Sequence, residues 1–430
     1  MTKKFLAFIV CFATIPAAHA GITPDEIDQA AAAVQPQVVE WRRWFHQNPE
    51  LSNREFNTSA KIAEILRDMG LEPQTGIAHT GVIAVIKGAL PGPLVAIRTD
   101  IDGLPVVEQT GLPFASTARS EYNGQDVGVM HACGHDAHMS MVLGAAKILN
   151  DMKAELPGSV MLIFQPAEEG PPNGENGGAS MMLDEGIFED RMPAAVFGMH
   201  VGISIPGGQF AVKPGPMMAA SDSFKIIVKG KQTHGARPWD GVDPVVVSSQ
   251  IVLGLQTIAS RQVDVTLAPS IISVGRISGG IRYNVIPDKV EMEGTIRTFD
   301  PDMRDYIHTA VERTARLIAE SAGAEIDFEL SQGPPPLINN ADLTSMILPA
   351  LERASGHPAH AVQPQTVAED FSEYGRVAPA VFVFLGNWPE ELDPTTQPTN
   401  HSPFFDMHEP YLENGVKAFS HMVVDFLKSQ

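Results

Sequence analysis

Cysteine is scarce in this sequence, and its scarcity excludes a fold built on disulfides. The chain has 430 residues and only 2 cysteines, Cys11 and Cys133. Cys11 lies in an N-terminal stretch where two lysines precede an apolar run, and Ala18-His19-Ala20 has the small-x-small pattern of a secretory cleavage site. We therefore predict a signal peptide at residues 1–20 and an exported protein, periplasmic or secreted. Cys133 would then have no partner for an internal disulfide.

Positive charge is also scarce. The chain has 30 lysines and arginines against 51 acidic residues, a formal net charge of −21, which loss of the two leader lysines would make −23. A chain this acidic binds nucleic acid and anionic lipid poorly, so neither is a predicted partner. After residue 20 no apolar run is long enough for a membrane-spanning helix, so no membrane association is expected after cleavage.

Reactive side chains are concentrated at residues 130–138, which contain four possible metal ligands, His131, Cys133, His135 and His138. An apolar pattern with helical spacing follows, so the cluster lies where a loop enters a helix, and that end of a helix favours a thiolate. A thiolate and an imidazole two residues apart suit zinc or a similar divalent ion. The alternative is a structural loop. Ligation would also protect a lone thiol in an oxidising compartment.

Several short apolar runs have the length and composition of buried strands, at 81–87, 94–99, 160–164, 195–199 and 380–385. Helical patterns separate them, which predicts an α/β domain with a mixed or parallel sheet, and Pro91-Gly92-Pro93 is predicted as a turn. Polar residues follow these runs: Asp100, Asp102, Glu168, Glu169, His200, Asn400 and His401. Because open α/β sheets bind ligands at the carboxyl ends of their strands, we expect these side chains to converge at one edge.

A different pattern occupies residues 213–336. Strands are predicted at 223–228, 270–277, 289–298 and 325–330, with helices at 242–260 and 301–322. The order βαββαβ is that of a ferredoxin-like unit, and stretches rich in glycine and proline flank it. We therefore predict a catalytic domain in two parts, 21–212 and 337–430, with an inserted lid or dimerisation domain at 213–336.

Nine segments in order give the chain a specific resemblance. They are Arg42-Arg43-Trp44-Phe45-His46 with Pro49-Glu50-Leu51, Arg98–Pro105, His131–His138, Phe164–Gly170, Gly198-Met199-His200, His234–Pro238, Asn284–Pro287, Ala368–Ser372 and His401-Ser402-Pro403. The chain resembles the M20 metallopeptidase and amidohydrolase family, in the branch of hippurate hydrolases, auxin-conjugate hydrolases and N-acyl-amino-acid amidohydrolases. The resemblance implies a zinc-hydrolase-like catalytic domain of mixed sheet that carries the inserted ferredoxin-like domain.

The resemblance also implies a two-metal site with the ligands Cys133, His135, Glu169, His200 and His401, in which Cys133 bridges the ions. Sulfur, imidazole and carboxylate together suit two divalent ions, with zinc as the first candidate and manganese, cobalt or nickel as alternatives. Taken singly, His200 or His401 would be interpreted as a core or loop histidine. Their positions after predicted strands favour ligation.

Catalytic roles follow from the same resemblance. It assigns Glu168 as the general base and acid, whereas the alternative for the Glu168-Glu169 pair is a solvated acidic loop. Asp102 would orient a histidine ligand from behind.

The inserted domain would supply further groups. His234 and Asn284 would stabilise the tetrahedral oxyanion, often from the partner subunit of a dimer, and Arg282 could bind a substrate carboxylate. The alternative for Arg282 is a surface charge. Where the family branch commonly has a second histidine in this loop, the chain has Trp239, a candidate for an apolar pocket.

The predicted function is that of an exported amidohydrolase that cleaves N-acyl amino acids with metal-activated water and forms a dimer or higher homo-oligomer. A metallo-carboxypeptidase or dipeptidase would use the same residues. A binding module without catalysis, and thiol catalysis by Cys133 with His135 or His131, are alternatives from other classes. A chelator would inhibit the metal enzyme, whereas an alkylating reagent would inhibit the thiol enzyme.

Overall fold

The computed structural model describes residues 21–202 and 205–430. The predicted signal peptide at residues 1–20, with Cys11, lies outside the described residues. Within the described residues, no helix combines the length and the apolar composition that crossing a membrane requires.

Helices and strands alternate along most of the chain. The α-helices of the described part are α1 (Pro24–Gln47), α2 (Phe56–Asp68), α3 (His135–Asp151), α4 (Gly178–Asp184), α5 (Pro244–Arg261), α6 (Pro301–Ser321), α7 (Ala341–Ser355), α8 (Ser372–Val377) and α9 (Leu412–Ser429). The strands are β1 (Gln74–Ile77), β2 (Gly81–Lys87), β3 (Leu90–Asp100), β4 (Arg119–Tyr122), β5 (Gln125–Gly128), β6 (Pro157–Gln165), β7 (Ala195–Val201), β8 (Phe210–Ala211), β9 (Gly215–Met218), β10 (Asp222–Lys229), β11 (Thr233–His234), β12 (Ser270–Gly279), β13 (Val285–Ile286), β14 (Lys289–Thr298), β15 (Glu325–Gln332), β16 (Leu337–Asn339) and β17 (Ala380–Leu385).

The main sheet has the strand order β1-β2-β6-β3-β7-β17-β8. Its four central strands, β6, β3, β7 and β17, are parallel, and the flanking strands are antiparallel to their neighbours. The predicted α/β class with a mixed sheet is therefore confirmed. Because the central strands run in the same direction, their carboxyl ends share one edge of the sheet.

Side chains of the central strands alternate between two cores, as the period of a strand requires. On β6, Val160 and Leu162 pack on one face with α1, α2, α3, α7 and α9, whereas Met161 and Ile163 pack on the other face with α4 and α8. Both faces of the sheet are thus covered. That burial explains why these strands are continuous apolar runs without polar alternation.

The second sheet has the order β12-β14-β10-β15 and is antiparallel throughout. Helices α5 and α6 pack on one of its faces around a core of their own. The sequence order of these elements is βαββαβ, with each predicted strand and helix present to within a few residues. The limits of the inserted domain, 213 and 336, stay a prediction.

One local prediction is wrong. Pro91-Gly92-Pro93 is not a turn between neighbouring strands, because it lies inside β3. Strands β2 and β3 are not neighbours either, since β6 lies between them, antiparallel to β2 and parallel to β3. The pairing of β3 with β6 shifts register between Leu90 and Leu94, so the two prolines are accommodated where the ladder is interrupted.

Candidate active site

A tight turn places Cys133 and His135 at the edge of the main sheet. Gly134 between them has φ 96°, a left-handed conformation that favours glycine, and α3 begins at His135. A Cβ atom on Gly134 would lie 2.3 Å from Val201 Cγ2, so any larger residue would force the turn away from β7. Both the thiol and the imidazole are buried.

Cys133 is central to a cluster of five side chains. Its Sγ lies 3.4 Å from His200 Nε2 and 3.3 Å from His401 Nε2. Ligand atoms of Cys133, His135 and His200 all lie within 4.8 Å of one another, and so do those of Cys133, Glu169 and His401. The five residues therefore form two groups of three that share one sulfur.

The histidines of the first group are held by their Nδ1 atoms. His200 Nδ1 lies 2.6 Å from the carbonyl oxygen of Val201, and His135 Nδ1 lies 2.8 Å from that of Asp102. The Asp102 carboxylate is also close, with Oδ1 3.2 Å from His135 Nδ1. Such contacts fix the tautomer with a free Nε2, the arrangement of metal-bound histidines. Asp102 thus lies beside the Nδ1 of His135, and its role in orienting that histidine stays a prediction.

One buried atom tests whether the cluster suits a metal. His135 Nε2 is buried and has no hydrogen-bond partner within residues 21–202 and 205–430. Burying an unpaired polar atom costs free energy, whereas a cation among the sulfur, nitrogen and oxygen donors would pair with it. The residues present therefore fit a metal site.

The loop that carries His401 is tied to the cysteine turn. Asn400 donates from Nδ2 to the carbonyl oxygen of Cys133 at 2.9 Å, and the His401 N–H donates to Ala132 at 2.7 Å. His401 has φ 69°, and its Nε2 lies 3.0 Å from Glu169 Oε1. Asn400 therefore acts as a tether that brings a distant loop to the cluster.

Glu168 adjoins the cluster without belonging to the two groups that share Cys133. Its side chain is mostly buried, and Oε2 lies 3.9 Å from His135 Nε2. Burial, and after it the nearby carboxylates of Glu369, Glu169 and Asp370, raise the pKa of Glu168 well above its usual value. A carboxyl group in such surroundings binds a proton more tightly than a solvated one.

Two of the four possible ligands in the 130–138 segment lie outside both groups. His138 Nδ1 lies 2.7 Å from Asp100 Oδ1, and His138 Nε2 accepts the Val201 N–H at 2.9 Å. Although His138 lies close to Asp100 and His135, both of its nitrogens are therefore engaged. His131 is buried, its pKa is lowered to about 4 by that burial, and neither ring nitrogen has a partner in the described part of the chain.

The three residues predicted to act from the inserted domain do not line the cleft at the cluster. A cleft of about 1350 Å³ leads to it, lined by Glu168, His200 and His401 on one side and by Arg304 and Gly333 on the other. His234, Arg282 and Asn284 do not line this cleft within the described residues. The His234 side chain is exposed, and its Nδ1 accepts the Ala236 N–H at 2.9 Å. Trp239 is 74% exposed, so within one chain it forms no apolar pocket.

Sequence reasoning assigned no role to a buried network behind Glu168. Arg98 donates to Gln165 at 2.8 Å, to Asp100 at 2.9 Å and to Asp370 at 2.7 Å, and Glu369 lies 3.0 Å from the same guanidinium. These residues occur in the quoted segments, so their presence was visible. Their mutual contacts join positions up to 272 residues apart and left no local signal.

A buried thiol, imidazoles and carboxylates at the carboxyl edge of an α/β sheet, with one further carboxyl group beside them, are typical of metal-dependent hydrolases. Comparison with known proteins identifies the group. Residues 96–425 match the family described as peptidase family M20/M25/M40, and the chain belongs to that family. It is a metal-dependent amidohydrolase or peptidase.

Similar proteins extend over nearly the whole chain. A thermostable carboxypeptidase of Saccharolobus solfataricus is 38% identical, over 91% of this chain and 96% of its own length. An N-acetyl-L-cysteine deacetylase of Bacillus subtilis is 39% identical, over 83% of this chain and 81% of its own. The crystal structure of a dinuclear metal-binding peptidase of the M20 family, also from Bacillus subtilis, superposes with a TM-score of 0.78 at 35% identity, covering 93% of this chain and all of that one.

Proposed function

We propose that the protein is an exported amidohydrolase with two divalent ions that cleaves the amide bond of N-acyl amino acids of the hippurate type. The observation that carries this proposal is the cluster itself, in which two groups of three donors share Cys133 and Glu168 lies alongside. The likeness to a deacetylase of N-acetyl-L-cysteine supports an N-acyl amino acid as the substrate. The likeness to a dinuclear peptidase supports two ions.

Each of the two groups of donors would hold one ion. His135 and His200 would hold one ion, Glu169 and His401 the other, and Cys133 would contribute to both. Zinc is the first candidate for this mixture of donors, with manganese, cobalt or nickel as alternatives. When bound, such ions supply Lewis acidity and lower the pKa of a water nucleophile.

The protein's own groups move the proton and orient the substrate. Glu168 would take a proton from the attacking water and deliver it to the leaving amine, since its carboxylate lies beside the cluster and burial raises its pKa, which favours keeping the proton between the two steps. Asp102 would keep His135 in place. His234 and Asn284 would donate to the developing oxyanion, and Arg282 would bind the carboxylate of the amino acid.

A substrate panel on one metal-assayed preparation tests the proposal. We expect hydrolysis of hippurate and other N-acyl amino acids, loss of activity with a chelator, and recovery when a divalent ion is returned. Alkylation of Cys133 should be seen only after the chelator. An active protein that resists the chelator but not the alkylating reagent would contradict the proposal and favour thiol catalysis, and a metal-loaded protein inactive on every substrate would favour a binding module.

A carboxypeptidase is the second candidate, and the likeness to a thermostable carboxypeptidase favours it. The cluster would serve both reactions, because each breaks an amide bond next to an amino acid with a free carboxylate. Dipeptides in the same panel separate the two. A kcat/KM higher for dipeptides than for N-acyl amino acids would replace the first proposal with this one.

We further propose that the protein forms a dimer, or a higher oligomer built of such pairs, whose inserted units complete the opposite sites. Ile281 and Tyr283 are almost fully exposed beside Asn284, and large apolar groups in one patch favour a protein contact. His234 lies outside the cleft of its own chain. A second copy would both cover the patch and supply the missing donors.

Complementation between two inactive variants tests the dimer. Glu168→Gln removes the proton carrier, and His234→Ala removes the oxyanion donor. If His234 acts across the interface, mixing the two under subunit exchange should restore about a quarter of the wild-type rate, because about half the dimers are mixed and each of these has one intact site. Sedimentation gives the oligomeric state. A monomer, or a mixture that stays inactive after proven exchange, would contradict this proposal.

Export rests on the sequence of residues 1–20, with its lysines, apolar run and Ala18-His19-Ala20 pattern. The N-terminal sequence of the protein recovered from the cells that make it tests this proposal. A mature chain that starts at Gly21 is expected, and a chain that retains residues 1–20 would contradict it.

A further inference from the structure

The backbone on both sides of Glu168 is bound to carboxylates. Ala167, directly before it, has φ 53°, a left-handed conformation that residues with a side chain rarely adopt. The Ala167 N–H donates to Glu55 Oε1 at 2.9 Å. The Glu169 N–H donates to Asp102 Oδ2 at 3.1 Å. Asp102 also contacts His135, whereas Glu55 is not one of the predicted site residues.

Glu55 lies just before α2 and does not cap that helix. An acidic side chain at such a position ordinarily accepts from the first N–H groups of its own helix. Here Glu50 does so, with its carboxylate accepting from the N–H groups of Asn57 and Thr58. The Glu55 side chain has no hydrogen bond to its own helix N-terminus and reaches a residue 112 positions further along the chain.

The surroundings of Glu55 leave it little freedom. The residue is fully buried, and its Oε2 accepts the Thr80 hydroxyl at 2.6 Å. Ala167 is 1% exposed, so no bulk water can replace Glu55 as the acceptor of its N–H. A buried carboxylate is costly unless its hydrogen bonds are made, and each Glu55 oxygen makes one with a different loop.

We propose that Glu55 is a positioning residue for Glu168. Its hydrogen bond holds Ala167 in the left-handed conformation and so fixes the direction in which the Glu168 side chain leaves the backbone. Without that bond the alanine would relax toward a right-handed or extended conformation and turn the carboxylate away from the cluster. The inference rests on the proposed function, in which Glu168 carries the proton.

Two conservative substitutions at one position test the inference. Glu55→Asp withdraws the carboxylate by about 1.5 Å, beyond hydrogen-bond reach of Ala167, and should lower kcat about 100-fold. KM and metal content should stay near those of the wild type, which a general loss of structure would not allow. Glu55→Gln keeps an oxygen that can accept the Ala167 N–H, and its amide can pair with the Thr80 hydroxyl. This variant should retain kcat to within about threefold.

Glu50→Asp is the matched control, because it shortens the carboxylate that caps the same helix and does not touch Ala167. It should lower the melting temperature without lowering kcat. The inference is overturned if Glu55→Asp keeps the wild-type kcat. It is also overturned if the kcat of Glu55→Gln or of Glu50→Asp falls about 100-fold. Should Glu55→Asp fail to fold, Glu55→Met takes its place, because it keeps much of the volume and removes the acceptor of the Ala167 N–H, and an unchanged kcat there overturns the inference. A wild type inactive on the whole panel would instead overturn the proposed function, and this inference with it.

Discussion

Replacing Glu168 by glutamine is expected to lower kcat about a thousandfold while the bound metal stays in place. The amide has the size of the carboxylate but cannot take a proton from water or return one to the leaving amine. Glu168 lies 3.9 Å from His135 Nε2, yet it is not needed for either group of donors around Cys133. KM should change little, because the substitution removes an interaction of the transition state. Steady-state kinetics and metal analysis of the same sample measure this.

Glu175 offers the matched control. It lines the same cleft, but its carboxylate is bonded to Arg54 at 2.6 Å and belongs to neither group of donors around Cys133. Glu175→Gln should therefore hydrolyse the substrate at close to the wild-type rate. If Glu168→Gln were as active as Glu175→Gln, another group must move the proton. If Glu168→Gln lost its metal together with its activity, the carboxylate would be a ligand and the assignments of Glu168 and Glu169 would need to be exchanged.

The convergence of the site was predictable because strand ends are visible in sequence. His200 falls within β7 near its end, and Glu168 and Glu169 follow β6. Because these strands are parallel neighbours of β3, the polar residues at their carboxyl ends lie at one edge of the sheet. That the side chains do meet follows from topology alone, whereas the chemical role of each of them stays a prediction.

Other features left no readable pattern. His138, three residues after His135 on one helix, had the spacing of a second ligand, but the Val201 N–H from β7 occupies its Nε2. The hydrogen bond between Glu55 and Ala167 joins two segments that are far apart in sequence. The left-handed conformation of residue 167 could not be predicted either, because that residue is an alanine and not a glycine. Pro91-Gly92-Pro93 has the composition of a turn, but it lies inside β3, where the pairing with β6 shifts register. Tertiary contacts, which local composition cannot encode, decide each case.

Loss of Arg98 should strongly destabilise the fold. Its guanidinium is fully buried and is the cation for Asp100, Glu369 and Asp370. Burial raises the pKa of Glu369 to about 7 and that of Asp370 to about 6, and Arg98 opposes both rises. Arg98→Met would keep the volume and leave the carboxylates without a counter-charge. Removing one partner of a buried pair typically costs about 3–5 kcal/mol of unfolding free energy, which chemical denaturation would measure.

The pH dependence of that loss identifies its cause. A carboxyl group whose folded pKa is raised above its unfolded value destabilises the fold once the pH exceeds the unfolded pKa, and without Arg98 the pKa of Glu369 and of Asp370 should rise further. The deficit of Arg98→Met should therefore be larger at about pH 8 than at about pH 5, where both groups can be protonated. Arg119→Met is the control, because it breaks an exposed ion pair, the one with Asp126. It should shift the midpoint of chemical denaturation little at either pH. A deficit of equal size at both pH values would mean that lost packing, and not unpaired charge, explains the effect of Arg98.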